Sequence, residues 1–317
     1  MVAKVFIDGE AGTTGLQIRE RLAGRRDLEI LSIAADKRKD EDERKRLLNA
    51  ADIAILCLPD DAARESVRLI ENGTTRVIDA STAHRTEEGW VYGFAEMEAG
   101  QTEAIAAARH VTNPGCWPQG LIAALRPLVA ARLLPQDYPL TYHGISGYSG
   151  GGRQMIEDYE RAGTAASHYM PYALTLAHKH LPEMTLYGRL GRAPLFLPVV
   201  GDFAQGMSTA IPLHLDMVAS MPSGKELHAA LADHFAAIPG GFVRVAPYEP
   251  ELGRTATLDP EAHNGTNTLT LHVFANDGAG QAVICAVYDN LGKGASGAAV
   301  QNLNIMLGVD PRESLLA

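Results

Sequence analysis

The sequence predicts an α/β protein in which a parallel, doubly wound sheet gives way to a second region built on a mixed sheet. Three observations carry this. Short apolar runs alternate with amphipathic helical segments as far as about Thr112, which is the pattern of βαβ units. Gly9-Glu-Ala-Gly-Thr-Thr-Gly15 falls between the first apolar run and the first helical one. From about Leu140 the apolar runs lengthen and follow one another with few helices between them, which suits a mixed or antiparallel sheet.

In order, residues 4–8 form a short apolar strand, and 16–22 have helical spacing after the glycine run. Residues 29–34 make a second strand, and the charged stretch 40–48 reads as a helix. Residues 53–58 are a buried-strand run, 60–70 a helix and 76–79 another short strand. The longer, more alternating strands fall at 140–145, 195–200, 207–215, 268–274 and 282–288. Residues 298–307 close with apolar spacing at helical period. There is no internal repeat and no low-complexity segment.

At 317 residues the chain suggests two domains, and 46% hydrophobic with 21% charged residues is ordinary for a globular enzyme. The net charge of -10 argues against nucleic acid or an anionic membrane as partner, while leaving room for local basic groups to hold a small anion. No apolar run is long enough to span a membrane, and the first residues enter a strand pattern without a signal-peptide layout. Three cysteines, odd and sparse, point to a reducing compartment, hence the cytoplasm.

The glycine spacing is G-x-x-G-x-x-G. Glycines let the backbone approach a pyrophosphate closely, and a helix N-terminus attracts that anion. Gly9, Gly12 and Gly15 are therefore candidate dinucleotide contacts, with Thr13 and Thr14 as hydroxyl donors. After the second strand the chain reads Ala35-Asp36-Lys37-Arg38-Lys39. Lys37 and Arg38 favour NADP, whose extra phosphate takes basic partners, while Asp36 keeps NAD open.

Cys116 follows Asn113-Pro-Gly and precedes a helical pattern. A thiol at a helix N-terminus is biased toward the thiolate, the nucleophilic form. Cys57 and Cys285 sit inside strand patterns and read as small buried residues. His178-Lys-His-Leu-Pro-Glu183 gathers two imidazoles, an ammonium and a carboxylate, with Glu183 three residues after His180, within reach on a helical turn. No third ligand has matching spacing, so a metal is not expected. Gly144-Ile-Ser-Gly-Tyr-Ser-Gly-Gly-Gly-Arg153 is rich in backbone donors suited to an anion, with Arg153 adding charge. Arg85 follows a parallel strand's end, where ligands bind in such sheets.

These runs, with Asp289-Asn-Leu-Gly-Lys-Gly-Ala-Ser-Gly-Ala-Ala-Val-Gln-Asn-Leu-Asn304, resemble the N-acetyl-gamma-glutamyl-phosphate reductase family in its short (type 2) form, over essentially the whole chain. The resemblance implies a Rossmann-type NADP-binding domain (1–115 and 290–317) and an α+β catalytic and dimerisation domain with a mixed sheet (116–289). It implies that NADPH reduces an acyl phosphate to a semialdehyde in arginine biosynthesis, through a thioester on Cys116. His180 is the expected acid/base with Glu183 orienting it, and His178 the runner-up. Arg85, Asn113, Arg153 and Lys179 are the expected substrate binders, and Ser149, Gly150 and Asn290 join the cofactor contacts. Assembly as a homodimer or homotetramer follows. Trp117 stands where the longer members usually carry tyrosine, and His143 reads equally as a packed residue. Aspartate-semialdehyde dehydrogenase and an acetylated aminoadipyl-phosphate reductase are the nearest rivals, the latter one methylene away in substrate. A cysteine hydrolase or a non-catalytic dinucleotide sensor would be a different class.

Overall fold

The computed structural model describes residues 2–249 and 257–317. The chain divides into two compact units, Met1–Ala95 with Gly100–Gly115 and Ala295–Leu316, and Glu96–Ala99 with Cys116–Gly294.

The first unit is a six-stranded, wholly parallel sheet. Its strands are β1 (Ala3–Asp8), β2 (Leu28–Leu31), β3 (Ile53–Leu56), β4 (Arg76–Asp79), β5 (Val91–Tyr92) and β6 (His110–Thr112), in the order β2-β1-β3-β4-β6-β5. Strand side chains alternate between faces, and here both faces are apolar. Val5, Ile7, Ile53 and Ile55 pack with Ile18 and Leu22 of α1 (Thr13–Leu22) and with Val300 and Leu303 of α9 (Gly297–Leu307). Phe6, Ala54 and Leu56 pack on the other side with Leu47 and Leu48 of α2 (Glu41–Ala50) and Ala63 of α3 (Asp60–Leu69). Asp40 caps α2 by accepting from the Glu43 backbone N–H at 2.9 Å. The order reverses beside β1, between β1–β2 and β1–β3, which is where doubly wound sheets bind ligands.

The second unit is a seven-stranded mixed sheet. Its strands are β7 (Thr141–Gly147), β8 (Tyr169–Pro171), β9 (Leu195–Gly201), β10 (Met207–His214), β11 (Val243–Val245), β12 (Leu269–Asn276) and β13 (Gln281–Tyr288), in the order β11-β12-β13-β10-β7-β9-β8. β7 pairs β9 and β11 pairs β12 in parallel, and the other neighbours run antiparallel. One face lies under α5 (Cys116–Ala130) and α8 (Gly224–Ala236), with α7 (Leu181–Tyr187) packed on α5. On the opposite face Leu195, Leu197, Pro212 and His214 are exposed, and Val283, Cys285, His272 and Phe274 are half-buried. This unit carries more helix than its strand-dominated pattern leads one to expect. Helices α6 (Gly152–Ala162), α7 and α8 all lie between strands, and the strong strand signal on either side masks them. Helix α5 is buried over almost its whole length, apolar but for Gln119 and Arg126.

Candidate active site

In the first unit the turn after β1 is built by steric exclusion. Gly9 has φ +93°, and a Cβ there would sit 2.3 Å from the Cys57 carbonyl oxygen. A Cβ on Gly15 would lie 2.5 Å from the Gly9 carbonyl oxygen. Both positions exclude a side chain for reasons internal to the protein. Gly12 differs, because its nearest neighbour would be 3.5 Å away, so protein packing does not demand glycine there. Gly12 is exposed and caps α1 with no side-chain hydrogen bond. Beyond it lie the N–H groups of the helix's first turn, which have no partner within the helix, with Thr13 and Thr14 half-buried beside them; such a terminus favours an anion.

The flanks of this loop are charged. Glu10 is buried and paired with Arg19 and, at 3.5 Å, with Arg38. Lys37 and Asp36 stand exposed on the turn after β2. Asp8, at the end of β1, accepts from Arg44 at 3.1 Å and Ser66 at 2.8 Å, a buried knot that fixes where the strand stops.

At the end of β4, Asp79 accepts from Ser81 at 2.7 Å and meets His84 Nδ1 at 2.6 Å. Arg85 is buried, and its guanidinium donates to the carbonyls of Asn113 and Ala80, each at 3.1 Å. The Asn113 amide donates to the Ala295 carbonyl at 2.9 Å, and its oxygen accepts from Asn302 at 3.1 Å. Both residues thus tie loop to loop in their own unit.

In the second unit Cys116 is the first residue of α5, which places the thiol where the helix dipole acts on it. Its carbonyl accepts from the Tyr288 hydroxyl at 2.8 Å, and the Trp117 carbonyl accepts from Tyr142 at 2.8 Å. Both hydroxyls come within contact of Gly120, where a Cβ would lie 2.8 Å from Tyr288 Oη and 3.0 Å from Tyr142 Oη. Burial, together with charge on Cys116, pushes both phenols above their usual range, so they remain neutral donors.

Trp117 leads to the histidines. Its indole N–H donates to the Tyr172 hydroxyl at 2.9 Å. The Tyr172 ring meets His178 edge-on at 5.7 Å, and His178 meets His180 at 4.7 Å and Phe196 at 5.1 Å. Phe196 closes the ring against Trp117 at 5.3 Å. Burial and charge on Cys116 push the Tyr172 phenol up as well. The structure therefore joins the Cys116 turn and the histidine cluster through one aromatic wall. His180 is buried and caps α7, and Glu183 is buried in that helix's first turn. His178 Nδ1 accepts from the His180 backbone N–H at 3.1 Å, which leaves Nε2 to carry the proton of the neutral ring.

Lys179 is exposed. Arg153 is exposed too, and pairs with Glu157 one turn along its own helix at 2.8 Å. Asn290 is buried, donates to Ser149 Oγ at 3.1 Å and accepts from the Gly206 N–H at 2.7 Å, so it braces the loop that carries Ser149 and Gly150. His143 Nδ1 lies 2.9 Å from the Leu197 carbonyl. Tyr142, Tyr172, Tyr288, Gln119, Glu96 and Lys293 carry the local geometry, and sequence reading missed all six as site residues. Gln119 closes the run that begins at Val111 and carries Cys116, and Lys293 lies within Asp289–Asn304.

Residues 4–106 match the family model "Semialdehyde dehydrogenase, NAD binding domain", and 116–290 match "Semialdehyde dehydrogenase, dimerisation domain". A Chelativorans sp. protein named N-acetyl-gamma-glutamyl-phosphate reductase is 64% identical, over 97% of this chain and 99% of that protein. The chain belongs to the N-acetyl-gamma-glutamyl-phosphate reductase family. A Nostoc sp. relative named N-acetyl-gamma-glutamyl-phosphate reductase 2 is 53% identical, over 96% of this chain and 97% of its own length. Aspartate semialdehyde dehydrogenase II of Vibrio cholerae has the same fold, with TM-score 0.72 at 14% identity, covering 97% of this chain and 99% of that one. The family is one of oxidoreductases that use a nicotinamide dinucleotide. Among the described residues no helix is long and apolar enough to cross a membrane.

Proposed function

We propose that this chain reduces N-acetyl-L-glutamyl 5-phosphate to N-acetyl-L-glutamate 5-semialdehyde with NADPH, releasing phosphate, as a step of arginine biosynthesis in the cytoplasm. The observation that carries the reading is the Cys116 thiol at the first position of a buried helix, in a chain 64% identical to a protein of that name.

In this reading the Cys116 thiolate attacks the acyl carbon, the carbon–oxygen bond to phosphate breaks, and the acyl group is held as a thioester. When bound, NADPH supplies a hydride to that carbonyl carbon. His180 gives a proton to the developing alkoxide and takes it back as the carbon–sulfur bond breaks, freeing aldehyde and thiolate. Buried Glu183 orients His180, and His178 is the alternate imidazole. The exposed Lys179 and Arg153 are the cations available to the substrate's anionic groups, while Arg85 and Asn113 hold the loop after β4 against that after β6. Gly9, Gly12, Thr13, Thr14 and Gly15 cradle the pyrophosphate. Lys37 and Arg38 favour NADP over NAD, and Ser149, Gly150 and Asn290 complete the cofactor contacts. Residues 1–115 with 290–317 act as the NADP-binding domain, save 96–99 and 290–294, which pack in the second unit and join 116–289 as the catalytic domain. The apolar open face of the mixed sheet, with Leu195, Leu197, Pro212 and Phe274, is the surface through which two copies pair.

The test runs the reaction backwards, with N-acetylglutamate semialdehyde, phosphate and NADP, and follows NADPH formation. Phosphate-dependent signal is expected. Preference for aspartate semialdehyde or the acetylated aminoadipate semialdehyde in the same assay would overturn the substrate assignment.

A further inference from the structure

Lys293 and Glu96 form an ion pair at 2.7 Å, with each side chain only 1% exposed. Two charges taken out of water at this depth cost several kcal/mol, and a well-packed apolar pair would often be no less stable. Burial pulls the ammonium's pKa down and Glu96 opposes that pull. Stability alone is therefore a poor reason for the pair.

Its surroundings supply a better one. Lys293 lies in a π-helical turn, Gly292–Ser296, a wide-bore backbone form that is rare and concentrates at functional sites. The turn is fastened at several points. Gln119, three residues into α5 from Cys116, donates its amide to the Lys293 carbonyl at 2.6 Å. The Gly294 N–H donates to the Asp289 carbonyl at 2.9 Å. A Cβ on Gly294 would lie only 3.0 Å from Cys116 Cβ, so the turn runs alongside the thiol-bearing residue with no room for a side chain between them. At the other end, Glu96 accepts from the Phe242 N–H at 2.8 Å, and the Lys293 ammonium lies 5.8 Å from the Phe242 ring centroid. The chain from fixed point to thiol runs Phe242, Glu96, Lys293, Gly294, Cys116, all within the second unit.

We infer that Lys293 is a positioning residue for the reaction: its buried pair with Glu96 clamps the π-helical turn so that Gly294 seats the Cys116 side chain at the head of α5. The inference rests on Cys116 being the nucleophile.

The experiment uses the full-length protein with Lys293→Met, Glu96→Gln, the double variant, and Gln119→Met, which loosens the same turn without touching the charges. Folding is read by circular dichroism and thermal midpoint, turnover by steady-state kinetics, and the thiol by its iodoacetamide alkylation rate at neutral pH. In the double variant no buried charge is left unpaired, so its thermal midpoint recovers toward wild type relative to either single variant. Its kcat stays down by about ten- to a hundredfold, the scale of a sub-ångström to ångström misplacement. Its KM stays within about threefold, and Cys116 alkylates several times more slowly. Gln119→Met moves kcat and alkylation in the same direction by a smaller factor. A folded double variant, or failing that a folded Gln119→Met, with wild-type kcat and alkylation rate would show that the pair is structural only. If the wild-type protein does not reduce NADP with the semialdehyde, the functional reading fails. The alkylation comparison still decides the seating of Cys116 independently.

Discussion

In the parallel unit the glycine turn after β1 is shaped by what is missing, whereas in the mixed unit the thiol is held by what is present. Gly9 and Gly15 fold tightly because neither tolerates a Cβ beside a carbonyl 2.3 to 2.5 Å away. The Cys116 carbonyl accepts from Tyr288 of β13, its neighbour Trp117 is tied to Tyr172, and the π-helical turn passes close beside it at Gly294. A backbone cradle suits a ligand that is bound the same way at every turnover. A side-chain cage suits a residue whose orientation must be fixed while bonds are made and broken at it.

The largest effect expected on this contrast is at the thiol. Cys116→Ala should abolish phosphate-dependent NADPH formation, by roughly 10³-fold or more, while NADPH binding followed by fluorescence stays near wild type. Undiminished turnover would remove the nucleophile from the cage. The histidines come next. His180→Asn should lower kcat by about 10² to 10⁴-fold, the usual worth of a general acid/base, and His178→Asn by only a few-fold. The reverse ranking would move the proton to the ring that faces Tyr172.

The cradle is probed by three alanines. Gly9→Ala and Gly15→Ala should each destabilise the fold by about 1–3 kcal/mol or more in denaturant titrations, as overpacking does. Gly12→Ala should leave stability unchanged and weaken NADPH binding, since nothing in the protein opposes its Cβ within 3.5 Å. Equal behaviour of all three would erase the distinction between a fold glycine and a ligand glycine. In the cage, Tyr288→Phe should cost about 1 kcal/mol of stability, one hydrogen bond's worth, and lower kcat by a larger factor than that implies.

The smallest signal is the pH response of the two remaining thiols. Burial raises Cys57 to about 12 and Cys285 to about 11. At neutral pH both stay protonated, so iodoacetamide should consume one thiol per chain, mapped to Cys116 by peptide mass. The sign for stability follows. The unfolded chain gives up these protons first, so folding free energy is full below the ordinary thiol range, near 9, and declines as pH rises toward about 12. A flat alkaline profile in urea titrations would contradict the desolvation of the half-buried Cys57 thiol.

Much of this architecture was legible in the sequence, for identifiable reasons. The parallel unit writes its strands as short apolar runs and the tight turn after β1 as spaced glycines, both local signals. Cys116 was legible because Pro114-Gly115 ends one element and α5 starts at once. The Tyr172 link, the Tyr142 and Tyr288 hydroxyls, and the Lys293–Glu96 clamp were not. Their partners lie 55, 25, 172 and 197 residues away, and no periodicity encodes a contact at that range. Arg85 and Asn113 likewise have partners that no local pattern encodes: Arg85 donates to the carbonyls of Asn113 and Ala80, and Asn113 to that of Ala295.

Helix α9 lends the parallel sheet one of its two apolar coverings, placing Val300 and Leu303 against Val5, Ile7 and Ile78. Val5 and Ile7 are separated from α9 by almost the whole length of the chain. During synthesis the first six strands therefore wait, with that side covered only in part by α1, until α9 has left the ribosome. Clipping the chain ahead of residue 297 would not simply shorten the protein; it would unclothe its beginning.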